Sequence, residues 1–220
     1  MTLTIPKDIQ NKLQYSSRKN NIIIKNFSAF DNLNLEFLST ISKEILSSNS
    51  NKRYSDLISF AFWARRKSLE LIKKKYSLQN SYGRGLTFHI TPSNVALNFL
   101  YSFSFSLLAG NSNIVRLPSK KFKEIDIFLN IYNKLRGTKF HQIYNSNIFI
   151  RYEHNDEVNS FFSSICDTRM IWGGDKTVQN FKEYKTNKYC LDITFPDRFS
   201  LSIMNAKSLN KLNDHEIKKL

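Results

Sequence analysis

The stretch GRGLTFHITPSNVALNFLYSFSFSLLAGNSNIVRLPSK, residues 83–120, decides the fold. Apolar and polar residues alternate over residues 86–90, which is typical of a strand. Residues 95–109 are apolar or small almost all round, and this pattern predicts a buried helix. NSNIVRLP, residues 111–118, predicts a second strand. A strand, a helix and a strand in this order indicate a βαβ unit with a parallel pair.

The predicted helix has recognisable ends. Thr91 or Ser93 can cap its first N–H groups, and Pro92 suits its first turn. Gly110 stands where a residue with positive φ commonly follows a helix. We therefore expect the helix to begin directly after the first strand.

Strand-like and helix-like segments alternate through the rest of the chain. Residues 1–80 predict an N-terminal helical region, with helices over 31–48 and 54–76 and a short strand at 22–24. Residues 81–220 predict an α/β domain with a Rossmann-like, mainly parallel sheet. After a helix at 121–135, the later strands are predicted at 146–153, 189–195 and 198–206, and residues 167–174 predict a strand that ends in a turn. The later helices are predicted at 155–166, 175–185 and 208–220.

The chain is strongly basic, with 33 Lys and Arg against 18 Asp and Glu, a net charge of +15. Such a charge favours a polyanionic partner, which nucleic acid, an anionic membrane or a phosphate-rich cofactor would supply. Lysine is also used heavily throughout, which fits an ordinary solvated surface. The run Lys73–Lys75 fits either a nucleic-acid patch or cations at a helix C-terminus.

Several classes of protein lack their sequence signals here. The start, MTLTIPKDIQNKL, has no apolar core of a signal peptide, and no apolar run reaches the ~18 residues of a membrane helix. Two cysteines make no disulfide framework, the four histidines show no metal-ligand spacing, and no G-x-S-x-G motif is present. We therefore expect a soluble cytoplasmic protein with reduced thiols, no bound metal and no membrane partner.

Three turns after predicted strands carry the candidate functional residues. In an open parallel sheet, ligands bind beyond the carboxyl ends of the strands. Asn94 can donate its amide to an oxyanion, or it can simply cap the helix. Arg116 and Ser119 suit a phosphate, or they belong to an ordinary surface loop.

The third turn is a pair of glycines, Gly173 and Gly174. Glycines allow the backbone to approach a pyrophosphate at the start of a helix. Neither the G-x-G-x-x-G fingerprint nor a P-loop occurs in the sequence. Asp175 can cap the following helix, but it also places a negative charge where a phosphate would sit.

The block from residue 89 to 120 resembles the start of the cofactor domain in the acyl-CoA reductase family. This family includes the fatty acid reductase component of bacterial luminescence and belongs to the aldehyde dehydrogenase superfamily. The segments WGGD at 172–175, LDITFPDRFSLSI at 191–203 and FAFWARRKSLELI at 60–72 are similar to other parts of these reductases. The features shared with the superfamily occur in order at Pro92, Asn94, Gly110, Asn111 and Arg116.

The resemblance implies NADP-dependent reduction of a long-chain acyl-CoA thioester to the aldehyde, on a fold of aldehyde dehydrogenase type. It implies that residues 81–220 are the dinucleotide-binding α/β domain. Asn94 would donate to the oxyanion, and Arg116 would contact the adenosine ribose or its phosphate. Ser119 stands where NAD-specific relatives often carry a carboxylate, which implies NADP. The other residues implied to line the cofactor site are Thr91, Pro92, Gly173 and Gly174.

Two features of the family have no counterpart. Neither Cys166 nor Cys190 lies in a motif like that of the nucleophilic cysteine, and LDITFPD offers no general-base glutamate. The chain is therefore expected to be the N-terminal, cofactor-binding portion without the catalytic domain. A fragment, a truncated frame and half of a split enzyme all stay open.

The resemblance also implies partners. These are the acyl-CoA substrate and either a C-terminal half or acyl-transfer and synthetase subunits, while a homo-oligomer is left open. Two alternatives remain, a non-catalytic basic protein that binds nucleic acid and a degenerate, reductase-like pseudoenzyme. The first lacks the aromatic and basic signature of a known nucleic-acid fold.

Overall fold

A computed structural model of the protein describes residues 1–15, 21–76, 80–92, 95–197, 201 and 203–209. The strands in chain order are β1 (Thr2–Thr4), β2 (Gln14–Tyr15), β3 (Asn21–Ile23), β4 (Leu86–Ile90), β5 (Ser112–Arg116), β6 (Asn147–Arg151), β7 (Thr168–Trp172) and β8 (Leu191–Phe195). The helices are α1 (Lys7–Gln10), α2 (Asn32–Ser47), α3 (Ser55–Trp63), α4 (Arg66–Lys75), α5 (Asn98–Leu108), α6 (Lys123–Lys134), α7 (His141–Asn145), α8 (Asp156–Ile165), α9 (Asp175–Glu183) and α10 (Ala206–Leu209). Two 3-10 turns cover Asn49–Arg53 and Leu135–Gly137.

Within the described residues, the main sheet has six strands in the order β2-β6-β5-β4-β7-β8. The neighbouring strands β6, β5, β4, β7 and β8 all pair in parallel. The short β2 pairs antiparallel with the outer edge of β6. The chain fills one side of β4 with β5 and β6, and then returns to fill the other side with β7 and β8. This arrangement confirms the predicted Rossmann-like α/β fold with a mainly parallel sheet.

Each face of the sheet carries its own buried apolar layer. One layer joins the sheet to α5 and α6 and continues into α2, α3 and α4. The other joins it to α8 and α9, with Ile5, Ile9 and Ile22 from the N-terminal segment. Alternation along the strands explains the division, because Ile114 enters the second layer and Val115 the first. The boundary between residues 80 and 81 stays a prediction.

Two glycines bring the segment before α2 against the end of α5. Gly110 follows α5 with φ +94°, as predicted, and its carbonyl accepts from the Phe27 N–H at 2.9 Å. Phe27 in turn accepts from the Gly83 N–H at 3.0 Å. A Cβ on Gly110 would lie 2.1 Å from the Phe27 oxygen, so this approach requires glycine.

One predicted helix is interrupted. The apolar stripe over residues 54–76 predicts a continuous helix, but α3 ends at Trp63 and α4 begins at Arg66. Arg65 is extended, and its guanidinium lies 3.8 Å from the centre of the Phe62 ring, which stays 46% exposed. The break lets Trp63 pack against Phe105 on α5, with 5.2 Å between ring centres. Tertiary packing therefore overrides the helical periodicity here.

Two other predicted elements differ from the structure. Helix α5 begins at Asn98, not directly after β4, and no side chain caps it. The Thr91 hydroxyl donates to the Arg116 carbonyl at 2.6 Å, so it ties β4 to β5 instead of capping α5. Ser93 lies outside the described residues. The strand predicted at 198–206 is wrong where the chain is described, because Leu201 and residues 203–205 form no strand.

A row of buried polar side chains crosses the sheet beneath α5. His89 Nε2 lies 2.8 Å from Asn113 Oδ1, and His89 Nδ1 lies 3.2 Å from the Ser102 hydroxyl on α5. Asn113 donates to Asn147 Oδ1 at 2.7 Å, and Asn147 donates to the Ile143 carbonyl at 2.6 Å. We call His89, Asn113 and Asn147 the polar seam, which links β4, β5 and β6 through side-chain hydrogen bonds.

Acid should destabilise the protein through the polar seam. Burial lowers the pKa of His89 from 6.5 to about 4. In the unfolded chain His89 binds a proton near pH 6.5, whereas in the folded chain it stays neutral until about pH 4. The free energy of unfolding therefore falls as the pH drops from 6.5 towards 4. At pH 4.5 we expect a loss of about 2–3 kcal/mol from this group alone.

The measurement is the free energy of unfolding in urea at pH 7 and pH 4.5, for the wild type and for His89→Gln. The variant replaces the imidazole with an amide, which can still form hydrogen bonds but does not titrate, so its pH-dependent loss should be smaller by that amount. Equal losses in the two proteins would contradict the assignment.

Candidate functional site

A cleft of about 480 Å³ opens at the carboxyl edge of the parallel sheet, where β4, β5, β6 and β7 end. It lies at the point where the crossovers change direction, the usual ligand position in open α/β sheets. Helix α9 forms one wall. The lining residues are Ile90, Thr91, Pro92, Arg116, Leu117, Pro118, Ser119, His154, Trp172, Gly173, Gly174, Thr177, Asn180, Phe181 and Tyr184.

The three predicted turns meet in this cleft wherever they are described. Predicted site residues from the turns after β4, β5 and β7 all line it. Asn94, the predicted oxyanion donor, lies outside the described residues. The predicted residues that line the cleft are Thr91, Pro92, Arg116, Ser119, Gly173 and Gly174.

Hydrogen bonds fix the turn after β5. The Leu117 N–H donates to the Ile150 carbonyl of β6 at 2.8 Å. Arg151, at the end of β6, donates its Nε to the Pro118 carbonyl at 3.0 Å. Together with the Thr91 bond to β5, these contacts hold the floor of the cleft in one conformation.

Arg116 has the only permanent charge among the described residues that line the cleft. Its guanidinium lies 4.4 Å from the centre of the buried Tyr152 ring, close enough for a cation–π interaction. One of its nitrogens is 3.5 Å from the Tyr152 carbonyl. A half-buried guanidinium held over a ring suits a phosphate or a carboxylate, because it has five N–H donors in a fixed fork.

A hydrogen-bonded chain supports the Tyr152 ring from below. Tyr152 donates to Asn159 Oδ1 at 2.7 Å, and Asn159 Nδ2 lies 3.4 Å from the Tyr184 hydroxyl. Tyr184 donates to Asp156 Oδ1 at 2.5 Å. Burial raises the pKa of Tyr152, so its hydroxyl stays protonated and keeps its role as a donor. The chain links the position of Arg116 to the α9 wall of the cleft.

A carboxylate stands at the start of α9. No side chain of Gly174, the residue before this helix, can cap it, and the Asp175 N–H lies 3.3 Å from Asp197 Oδ2. A Cβ on Gly174 would come within 2.7 Å of the same oxygen. Asp197 therefore occupies the end of the helix dipole that would otherwise favour an anion.

Several residues that line the cleft are not predicted as site residues from the sequence. His154 enters the cleft after β6, although its spacing from other histidines predicts no role. Trp172 stacks on Phe195, with 3.9 Å between ring centres, and its buried Nε1 has no partner in the described part of the chain. Three α9 residues share one helical face, a spacing that could have been read from the sequence: Thr177, Asn180 and Phe181. Tyr184 lines the cleft directly after the end of this helix.

Neither cysteine approaches the cleft along the sheet. Cys166 precedes β7 and Cys190 precedes β8, so both lie at the amino edge of the parallel strands, opposite the cleft. A hydrogen bond with Cys190 and burial raise the pKa of Cys166. These positions do not suit a nucleophile that must meet a ligand in the cleft.

The family comparison agrees with the geometry. The model of the acyl-CoA reductase (LuxC) family matches residues 2–218. The chain belongs to this family. Membership in the LuxC family places it among the acyl reductases, a class of oxidoreductase for which a nicotinamide cofactor is expected. No individual curated protein matches the chain significantly. In the described residues of this LuxC-family chain, no helix is both long enough and apolar enough to cross a bilayer.

The hydrogen-bonded support of the cleft should contribute measurably to stability. In Tyr152→Phe the ring remains beneath Arg116, but the buried Asn159 oxygen loses its donor. We expect the free energy of unfolding to fall by about 1–2 kcal/mol. Tyr184→Phe removes a more exposed hydroxyl and should cost less.

Urea titrations of the two variants and the wild type measure the effect. A smaller loss for Tyr152→Phe than for Tyr184→Phe would show that the buried bond does not stabilise the fold.

Proposed function

We propose that the cleft binds NADP(H), and that this chain supplies the cofactor-binding part of an enzyme that reduces a long-chain acyl-CoA to the aldehyde. The observation that carries the proposal is the meeting of three strand-end turns around Arg116 in one cleft. Membership in the acyl-CoA reductase (LuxC) family supports the reaction class.

The residues present fit a phosphorylated dinucleotide. Gly173 and Gly174 present bare backbone to the cleft, and a Cβ on Gly173 would clash with Thr177 at 2.8 Å, so this wall cannot accept a side chain without a shift of Thr177. Trp172 Nε1 has no hydrogen-bond partner among the described residues, and it provides a donor together with the hydroxyl and amide groups of α9, beside apolar walls. Such a mixture is typical of cofactor sites. When bound, the reduced nicotinamide supplies the hydride for the thioester carbonyl.

Each part of the cleft has a distinct task in this proposal. Arg116 neutralises a phosphate of the adenosine half, and Tyr152 holds the guanidinium in place. Ser119 leaves room and a hydroxyl for a 2′-phosphate, since no carboxylate lines the described cleft. The amide of Asn94 would stabilise the oxyanion that forms at the thioester, and this role stays a prediction.

Arg116 should dominate cofactor affinity. We expect Arg116→Met to weaken NADPH binding roughly 10- to 100-fold, because a charge-assisted contact is lost while the length of the side chain is kept. Fluorescence titration with NADPH measures the dissociation constant. Arg136→Met is the matched control, since Arg136 also lies over a tyrosine ring but follows α6 at the opposite edge of the sheet.

Equal affinities in the two variants would exclude Arg116 from the site. The nucleic-acid alternative predicts a different pattern, in which NADPH does not saturate the protein and retention on DNA depends steeply on salt.

Ser119 should set the preference between NADPH and NADH. We expect Ser119→Glu to weaken NADPH binding roughly tenfold or more, because a carboxylate would repel the 2′-phosphate, and to leave NADH binding nearly unchanged. Ser119→Gln has a similar size without the charge and should retain the preference. A glutamate variant with an unaltered ratio of the two affinities would count against a 2′-phosphate at this position.

Asp197 should oppose an anion at the start of α9. If the pyrophosphate lies against Gly174, Asp197→Asn removes a competing charge and should tighten NADPH binding by roughly threefold to tenfold. Glu183→Gln, which removes an exposed charge at the other end of α9, provides the control. Weaker binding in Asp197→Asn would place the pyrophosphate away from this helix.

A further inference from the structure

The only two cysteines of the sequence lie side by side in the structure. The Sγ atoms of Cys166 and Cys190 are 3.9 Å apart. Cys166 is fully buried at the end of α8, whereas Cys190 is partly exposed directly before β8. An oxidant in solvent can therefore reach the Cys190 thiol, whereas the Cys166 thiol lies buried next to it.

The backbone around the two cysteines is suited to a disulfide. Thr168 and Leu191 are paired in the parallel ladder, and the Leu191 N–H donates to the Asp167 carbonyl at 3.1 Å. Asn187 also donates to the Cys166 carbonyl at 2.5 Å. The register continues to Cys190 opposite Asp167, so Cys166 lies one residue away from the position facing Cys190. Adjacent strands lie ~4.8 Å apart, and a diagonal neighbour at this spacing stays within the Cα separations of about 4.4–6.8 Å that disulfides need. A bond of about 2.05 Å therefore requires the two sulfurs to approach by about 2 Å.

The charges around the pair make the two thiols unequal. Arg169 is held between the strands by Asp192, with bonds of 2.7 and 2.6 Å. The hydrogen bond from Cys166, aided by the positive charge of Arg169, lowers the pKa of Cys190, against the opposing effects of burial, Asp192 and Asp167. A thiolate attacks faster than a thiol, so the exposed member of the pair is also the more reactive one.

We propose that Cys166 and Cys190 form a reversible intramolecular disulfide when the protein meets a peroxide. The Cys190 sulfur attacks one oxygen of hydrogen peroxide and the O–O bond breaks. Cys190 becomes a sulfenic acid, and the other oxygen leaves as the first water. The Cys166 sulfur then attacks Cys190, the S–O bond breaks, and the Cys166 proton leaves in a second water. Two thiols are oxidised by two electrons, and one hydrogen peroxide is reduced to two waters.

Intact-mass spectrometry of the full chain tests the proposal. After hydrogen peroxide and then N-ethylmaleimide under denaturing conditions, the wild type should lose about 2 Da and gain no maleimide. Dithiothreitol should restore two reactive thiols. A tryptic digest should contain one cross-linked peptide pair that joins Cys166 to Cys190.

Two variants test the order of the steps. In Cys166→Ser we expect Cys190 to stop at the sulfenic acid, which dimedone traps. In Cys190→Ser we expect Cys166 to resist peroxide while the protein is folded, because its sulfur is buried. Equal dimedone labelling of the two variants would overturn the assigned order.

The wild-type measurement decides the proposal even if a variant fails to fold. Two maleimide adducts after peroxide treatment would overturn it, and so would a sulfinic acid on Cys190 without a cross-link. A cross-linked dimer on a non-reducing gel would also overturn it, because the bond would then join two chains.

Discussion

The cleft depends on the reversal of the chain at β4. The crossovers through α5 and α6 place β5 and β6 on one side of this strand, and the later crossovers place β7 and β8 on the other. The turns that follow β4 and β7 must therefore diverge, which leaves a gap at the carboxyl edge of the sheet. Every candidate residue that the structure describes reaches the cleft because it follows one of these strands within a few positions.

This dependence explains what could be predicted from the sequence. The alternation at residues 86–90 and the apolar run before Gly110 identify the first βαβ unit, and the carboxyl ends of parallel strands then bring Thr91 and Arg116 together. His154 follows β6 by three residues in the same way, but a lone histidine after a strand gives no sequence signal that separates a place in the cleft from an ordinary surface position. The apolar periodicity does not predict the break near Arg65, because packing of Trp63 against α5 determines where α3 ends.

Net charge gives little information about the cleft. The sequence carries an excess of 15 positive charges, but Arg116 is the one permanent charge in the described lining. Other basic groups have structural contacts elsewhere, as when Lys73 donates to the Phe30 carbonyl at 3.2 Å. At the start of α9, the carboxylate of Asp197 even places a negative charge beside the cleft, despite the overall excess of positive charge. Recognition of an anion therefore depends on one placed guanidinium more than on the average charge of the surface.

The polar seam has a consequence for how the strands find one another. Side chains alternate between the two faces, so sliding β5 by a single residue would move Asn113 into the aliphatic layer and set Ile114 opposite the imidazole. Each amide or ring nitrogen that is buried without a hydrogen-bond partner would destabilise the shifted sheet by about 1–3 kcal/mol. Aliphatic residues alone would tolerate such a misalignment more readily. The hydrogen bonds of the polar seam therefore favour the native strand register, because a sheet paired in a shifted register is less stable.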